Sequence, residues 1–174
     1  MKSISLMLAA ALVASGCAAM RGDNAGGTAV ANLEPTKGNT TKGTVRFTQR
    51  GDRVQVSAQL SGLKAGAEHG FHVHEKGDCS SGDGMSAGGH FNPAGKPHGH
   101  HAAAERHVGD MPNLRADAGG NANVTFEVSG MSIGSGAADI VGKGLIVHRD
   151  PDDYKSQPAG NAGPRLACAV IRKS

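Results

Sequence analysis

The sequence predicts an all-β domain, an antiparallel sandwich or barrel. Three observations carry that expectation. Short runs of alternating apolar and polar residues recur along the chain, separated by glycine, asparagine and aspartate turn residues. No stretch sustains the 3.6-residue period of an amphipathic helix. Glycine makes up 27 of the 174 residues, which weakens helix interiors and supplies turns.

The N-terminus stands apart from this pattern. Met1-Lys2-Ser3 leads into an apolar run from Ile4 to Val13, broken only by Ser5, and then into Ala14-Ser15-Gly16-Cys17. One positive charge, a short apolar run and a small-residue exit describe a secretory signal, too short for a stable membrane span. The Ser-Gly-Cys ending resembles a bacterial lipobox, so residues 1–16 are expected to be a signal peptide of the lipoprotein type, with lipid attached to Cys17. Ala14 stands where that motif prefers leucine, and ordinary cleavage a few residues later is the alternative. A lipid anchor would tether the protein to a bacterial membrane from the periplasm without a spanning segment. Residues 17–27 are small and polar, a flexible tether ahead of a single domain over 28–174.

Beyond the signal, 158 residues remain, enough to bury about 70% of the unfolded surface. Their formal charge is close to neutral and no basic run occurs, which gives no footprint for nucleic acid. Cys17 belongs to the export signal. Cys79 and Cys168 are then the two cysteines of an exported domain and are expected to pair. No Cys-x-x-Cys is present, which argues against dithiol redox chemistry.

The strand candidates follow in order: Thr28 to Leu33, Thr44 to Thr48, and Val54 to Leu60, with Arg50-Gly51-Asp52 as a hairpin turn between the last two. Phe71-His72-Val73-His74 is a fourth. Its alternation turns Phe71 and Val73 to one face and both histidines to the other. Asn123 to Val128, Leu145 to His148 and Leu166 to Ile171 complete the set. Between Glu75 and Asp110 no strand or helix is credible. A structureless segment of that length in a compact domain needs something to pin it. It contains Cys79 and five of the nine histidines, so a disulfide and a metal are the candidates.

Eight of the nine histidines fall between His69 and His107, and the ninth, His148, ends a strand candidate. A single buried imidazole needs only one satisfied partner, a reading that suits His69. Burying six more would need as many partners, whereas metal ions satisfy several at once.

The segments GFHVHEKGDC, SAGGHFNP, ERHVGD, IVHRDPDD and GNAGPRLACAVI resemble, in order and spacing, the conserved blocks of the copper–zinc superoxide dismutase family. The resemblance implies an eight-stranded Greek-key β-barrel or sandwich with long metal-binding and active-site loops. It implies one copper and one zinc per subunit and an enzyme that dismutes superoxide, its substrate, to oxygen and hydrogen peroxide. Matched by position, copper would be held by His72, His74, His90 and His148, and zinc by His90, His98, His107 and Asp110. His90 would then bridge the two ions. Asp152 matches the carboxylate that orients one ligand histidine of each metal, and Arg165 the arginine beside copper. Cys79 and Cys168 match the intrasubunit disulfide. The family spacing selects His98 over His100 and His101, which are either solvated or a weak accessory metal site.

The loop from Asp150 to Pro164 is shorter than the charged loop of eukaryotic members and lacks their paired glutamates, so the chain resembles the bacterial exported, periplasmic branch. Lys76 or Lys155 is left to steer the anion, and monomer and homodimer both stay open. The rival reading is a periplasmic copper- or zinc-binding or delivery protein on the same fold, which would not need Arg165 or Asp152. A zinc hydrolase fits poorly, because no His-Glu-x-x-His is present and the zinc set is closed.

Overall fold

A computed structural model describes residues 26–174 of the chain; the expected signal peptide, Cys17 and most of the expected tether fall outside the described residues. The strands are β1 (Thr28–Pro35), β2 (Lys42–Arg50), β3 (Arg53–Ser61), β4 (Glu68–His69), β5 (Phe71–His74), β6 (Leu114–Arg115), β7 (Ala122–Ser129), β8 (Gly144–His148), β9 (Arg165–Val170) and β10 (Arg172–Lys173). Eight form one antiparallel sheet in the order β5-β8-β9-β1-β2-β3-β7, with β10 pairing beside β1. β4 and β6 make a separate two-stranded ribbon. The expected all-β architecture is what the chain adopts, and every strand candidate lies in an observed strand to within a residue or two at its ends.

The β1-β2-β3-β7 half obeys simple alternation. Ala29, Ala31 and Leu33 on β1, Val45 and Phe47 on β2, and Val54, Val56, Ala58 and Leu60 on β3 are all buried, while their neighbours face outward. Each fully buried valine, leucine or phenylalanine contributes roughly 1.5–3 kcal/mol against leaving it in water. The two-residue turn Gly51-Asp52 closes β2 onto β3 with Gly51 at φ 61°, the left-handed value that glycine adopts without penalty.

The β5-β8 part is different, because both faces are buried. Phe71, Val73, Leu145 and Val147 enter the main core, while His72, His74, Ile146 and His148 face the other way. What covers that second face is the 75–110 segment. Its backbone lies along the edge of β5, with bridges pairing His72 with Asp110 and His74 with His90. Val73 N donates to Gly109 O at 3.0 Å, and Phe91 N donates to Val73 O at 2.8 Å. The segment thus completes the hydrogen bonding of an edge strand that would otherwise be open. Its only regular element is a 3-10 turn at Met85–Ala87, and Cys79 bonds Cys168 on β9 across a separation of 89 residues.

One departure from regular pairing positions the site. Val147 opposes Ala167, but His148 opposes Arg165, so the register slips by one residue between them. The slip sets Arg165 opposite His148, where uninterrupted pairing would put Leu166. The displaced carbonyls of Arg165 and Leu166 both accept from the Thr36 hydroxyl, at 2.7 and 3.1 Å.

Candidate metal centre

Two strands and one loop bring four imidazoles together. His72 and His74 come from β5, His148 from the end of β8 and His90 from the covering segment. One ring nitrogen of each lies within 4.8 Å of the others. The second nitrogen of each ring is tied to the protein. His72 Nε2 bonds Asp152 Oδ2 at 2.9 Å, His74 Nδ1 bonds Gly88 O at 2.9 Å, and His148 Nδ1 bonds Gly163 O at 3.1 Å. The nitrogens that face inward have no such partners: His72 Nδ1 and His90 Nε2 are buried without a hydrogen bond, and His74 Nε2 meets His148 Nε2 at 3.4 Å.

Burial, followed by the neighbouring imidazoles, discourages protonation here. It pushes His90 down to about 4, His148 to about 3 and His74 well below the usual histidine range. These are neutral, buried, inward-facing nitrogen donors. Such unsatisfied atoms are costly unless a cation fills the space between them, and an all-imidazole set suits copper.

A second group shares His90. His90 Nδ1 lies 2.9 Å from Asp110 Oδ1, His98 Nδ1 lies 3.0 Å from the same oxygen and His107 Nδ1 3.4 Å, with His107 Nδ1 3.3 Å from His90 Nδ1. A tetrahedral ion with metal–nitrogen bonds of about 2.0–2.1 Å has donor–donor edges of about 3.3 Å. Three nitrogens and a carboxylate oxygen at these separations fit zinc. Burial pushes the Asp110 carboxyl up, but hydrogen bonds from His107, His90 and His98 outweigh it and hold it far below the usual carboxylate range. Its Oδ2 accepts from the main-chain N–H of His107 and of Gly99, so the oxygen facing the nitrogens is fixed.

Asp152 links the groups. Its Oδ2 accepts from His72 and its Oδ1 from His98 Nε2 at 2.9 Å, and all these side chains are fully buried. Burial pushes His98 down, but its bonds to Asp110 and Asp152 outweigh that and raise it to about 9. Gly160 packs directly on this contact, at φ 65°, and any β-carbon there would collide with Asp152 Oδ1.

Arg165 stands beside the four-imidazole group, depressing the protonation of His74 and His148. Its guanidinium donates to Gly84 O and Gly88 O, both at 2.6 Å, carbonyls of the segment that Cys79–Cys168 fastens to β9. His69 is fully buried with Nδ1 bonded to His148 O at 2.9 Å, so it braces the backbone of His148 and joins neither donor group. His100 and His101 also join neither. Their rings pack against each other at a tilt, centroids 4.1 Å apart, and His100 packs edge-on against Tyr154. A cleft of about 150 Å³ opens beside His148, lined by Gln157, Pro158, Ala159, Asn161, Ala162 and Gly163. Lys76 lies instead in a groove with Phe91 and Lys143, and Lys155 is exposed.

Sequence reasoning missed several supporting residues. Asn113 holds Asp152 by two main-chain bonds, and Tyr154 Oη accepts from Asn113 N. Arg106 is buried and donates to His107 O and Ser129 O. Gln157 clasps the main chain of His98. Each is a polar residue in an irregular segment, where no periodicity marks a side chain as structural.

A family profile described as copper/zinc superoxide dismutase matches residues 41–171. The extracellular superoxide dismutase [Cu-Zn] of Drosophila melanogaster is 41% identical over 177 residues, covering 95% of this chain and 96% of the relative. The superoxide dismutase [Cu-Zn] of Paramecium bursaria Chlorella virus 1 is 45% identical over 136 residues, covering 75% and 72%. Among solved structures, the crystal structure of the clock protein EA4 aligns with a TM-score of 0.77 at 39% identity, covering 87% of this chain and 97% of that one.

Proposed function

Because the chain belongs to the copper/zinc superoxide dismutase family and is an enzyme of that kind, we propose that it dismutes superoxide at copper held by His72, His74, His90 and His148. Zinc would be held by His90, His98, His107 and Asp110, with His90 common to both sets. The observation that carries this reading is that His90 presents its two ring nitrogens to two different buried donor groups. Two superoxide anions and two protons give one oxygen and one hydrogen peroxide. When bound, copper supplies the one-electron couple and zinc a fixed charge without redox chemistry.

The chain's own residues do the rest. An imidazole shared by two cations must give up both ring protons, which two adjacent positive charges make feasible at neutral pH. His90 Nε2 is therefore the atom that can take up a proton and return it to the product, while Nδ1 keeps the ring in place. Asp152 orients His72 and His98 together, so one carboxylate sets the aim of a donor in each group. Arg165, immobilised by two carbonyls, offers a fixed positive charge to a small anion entering beside His148. A storage or delivery role is less well supported, since exchangeable ligands would be exposed and these are at most 7% exposed.

An exported setting is supported by the disulfide, which persists in oxidising compartments. A relative named as extracellular also supports it. We place the protein in the periplasm with lipid on Cys17; intact mass of membrane-extracted protein tests this, and an unmodified N-terminus beyond residue 17 would remove the lipid.

The central test is metal analysis and superoxide consumption on one preparation. About one copper and one zinc per chain with turnover is expected; copper at that level with no turnover would overturn the enzymatic reading. Arg165→Ala should lower the rate about tenfold or more and flatten its salt dependence at constant metal content. An unchanged rate would remove the arginine from substrate attraction.

A further inference from the structure

Gln157 belongs to the loop that carries Asp152, yet its side chain acts on the other loop. Its Oε1 accepts from His98 N at 2.9 Å and its Nε2 donates to His98 O at 2.9 Å and to Lys155 O at 3.3 Å. The carboxamide pairs with residue 98 as a neighbouring strand would, acceptor to donor and donor to acceptor.

His98 has an unusually strict placement. Its ring must meet carboxylates on two separate loops, Asp110 Oδ1 at 3.0 Å and Asp152 Oδ1 at 2.9 Å, in a fully buried setting. Its backbone offers little to enforce this. It belongs to no strand or helix, and it lies between Pro97, which has no N–H to donate, and Gly99, which has no side chain to lock. Gly99 N donates to Asp110 Oδ2 at 3.1 Å, which holds the far side of the loop toward Asp110; without a partner at residue 98 itself, the ring could keep Asp110 and lose Asp152. Gln157 supplies that partner at both backbone groups of residue 98. The same residue forms part of the wall of the cleft beside His148.

We propose that Gln157 is a positioning residue: its carboxamide fixes the backbone of His98 so that the ring reaches Asp110 and Asp152 together, and it ties the wall of the cleft beside His148 to the zinc group. The role rests on the reading of His98 as a zinc ligand.

The test uses full-length protein with Co(II) in place of zinc, whose visible absorption reports tetrahedral geometry. Gln157→Ala should weaken the tetrahedral band and lower resistance to a chelator by about tenfold or more. Gln157→Glu, nearly isosteric, keeps the acceptor toward His98 N but sets a carboxylate against His98 O, and should act in the same direction even if the alanine variant folds poorly. A role in fold stability alone would lower the unfolding temperature of the metal-free protein and leave the band intact. A wild-type band that both variants leave unchanged in intensity and chelator resistance overturns the role alone. A wild-type protein with no tetrahedral band overturns the zinc assignment of His98, and this role with it.

Discussion

Replacing Asp152 with alanine separates the two donor groups by their scaffolds. The carboxylate accepts from His72 Nε2, from His98 Nε2 and from Tyr154 N, each at 2.9 Å or less. Removing it leaves two imidazole N–H donors without acceptors in a space closed to solvent, at a cost of about 1–3 kcal/mol for each. At 1.4 kcal/mol per tenfold, that is about five- to 150-fold in retention of each metal. The losses should not be equal. His72 sits on β5, whose register is fixed by Phe71 and Val73 in the core. His98 sits on an irregular loop and depends on Asp152 for one of its two ring contacts. Zinc should therefore fall further than copper. The assay is dialysis against graded chelator, followed by metal analysis of both ions. Copper falling further than zinc, or neither moving, would refute the idea that one carboxylate aims a donor in each group.

Two further expectations concern the disulfide and protons. For the 89-residue separation of Cys79 and Cys168, chain entropy assigns about 4.6 kcal/mol to the cross-link. The double variant Cys79→Ser/Cys168→Ser should thus unfold about 9–18 °C lower in thermal scans of the metal-free protein; a drop under about 3 °C would contradict it. His98 is raised to about 9, so its imidazolium stabilises the metal-free fold fully below about 6.5, and that contribution is lost as pH rises through about 9. Zinc uptake at pH 7 should release about one proton, from His98, and copper about one more when His90 is shared. Calorimetry in buffers of different ionisation heat measures both, and no release on zinc uptake would count against this protonation scheme.

The strands were legible because alternation is visible wherever one face is buried and the other wet, as at Val54, Val56, Ala58 and Leu60. Phe71-His72-Val73-His74 was legible for the same reason, with imidazoles in the place of solvent-facing residues. The structure brings His72, His74, His90 and His148 into one group and His90, His98, His107 and Asp110 into another, with His100 and His101 in neither. Other features left no trace in the sequence. β4, β6 and β10 have two residues each, too few to show a period. The register slip between β8 and β9 inverts what alternation says of Arg165, which shares its parity with the core residue Ala167 yet lies opposite His148. The grip of Gln157 on His98 spans 59 residues between two irregular loops, a contact that no local pattern encodes.

The cleft beside His148 is walled mostly by small residues. Apart from Gln157 and Asn161, its walls are Pro158, Ala159, Ala162 and Gly163, residues with little side chain to reach toward a visitor. A space of about 150 Å³ would take a small anion and a few waters but no folded protein. If copper is reached through it, a bulky chelator should strip the loaded protein more slowly than a small one of equal affinity, whereas a route elsewhere would show no such dependence on size.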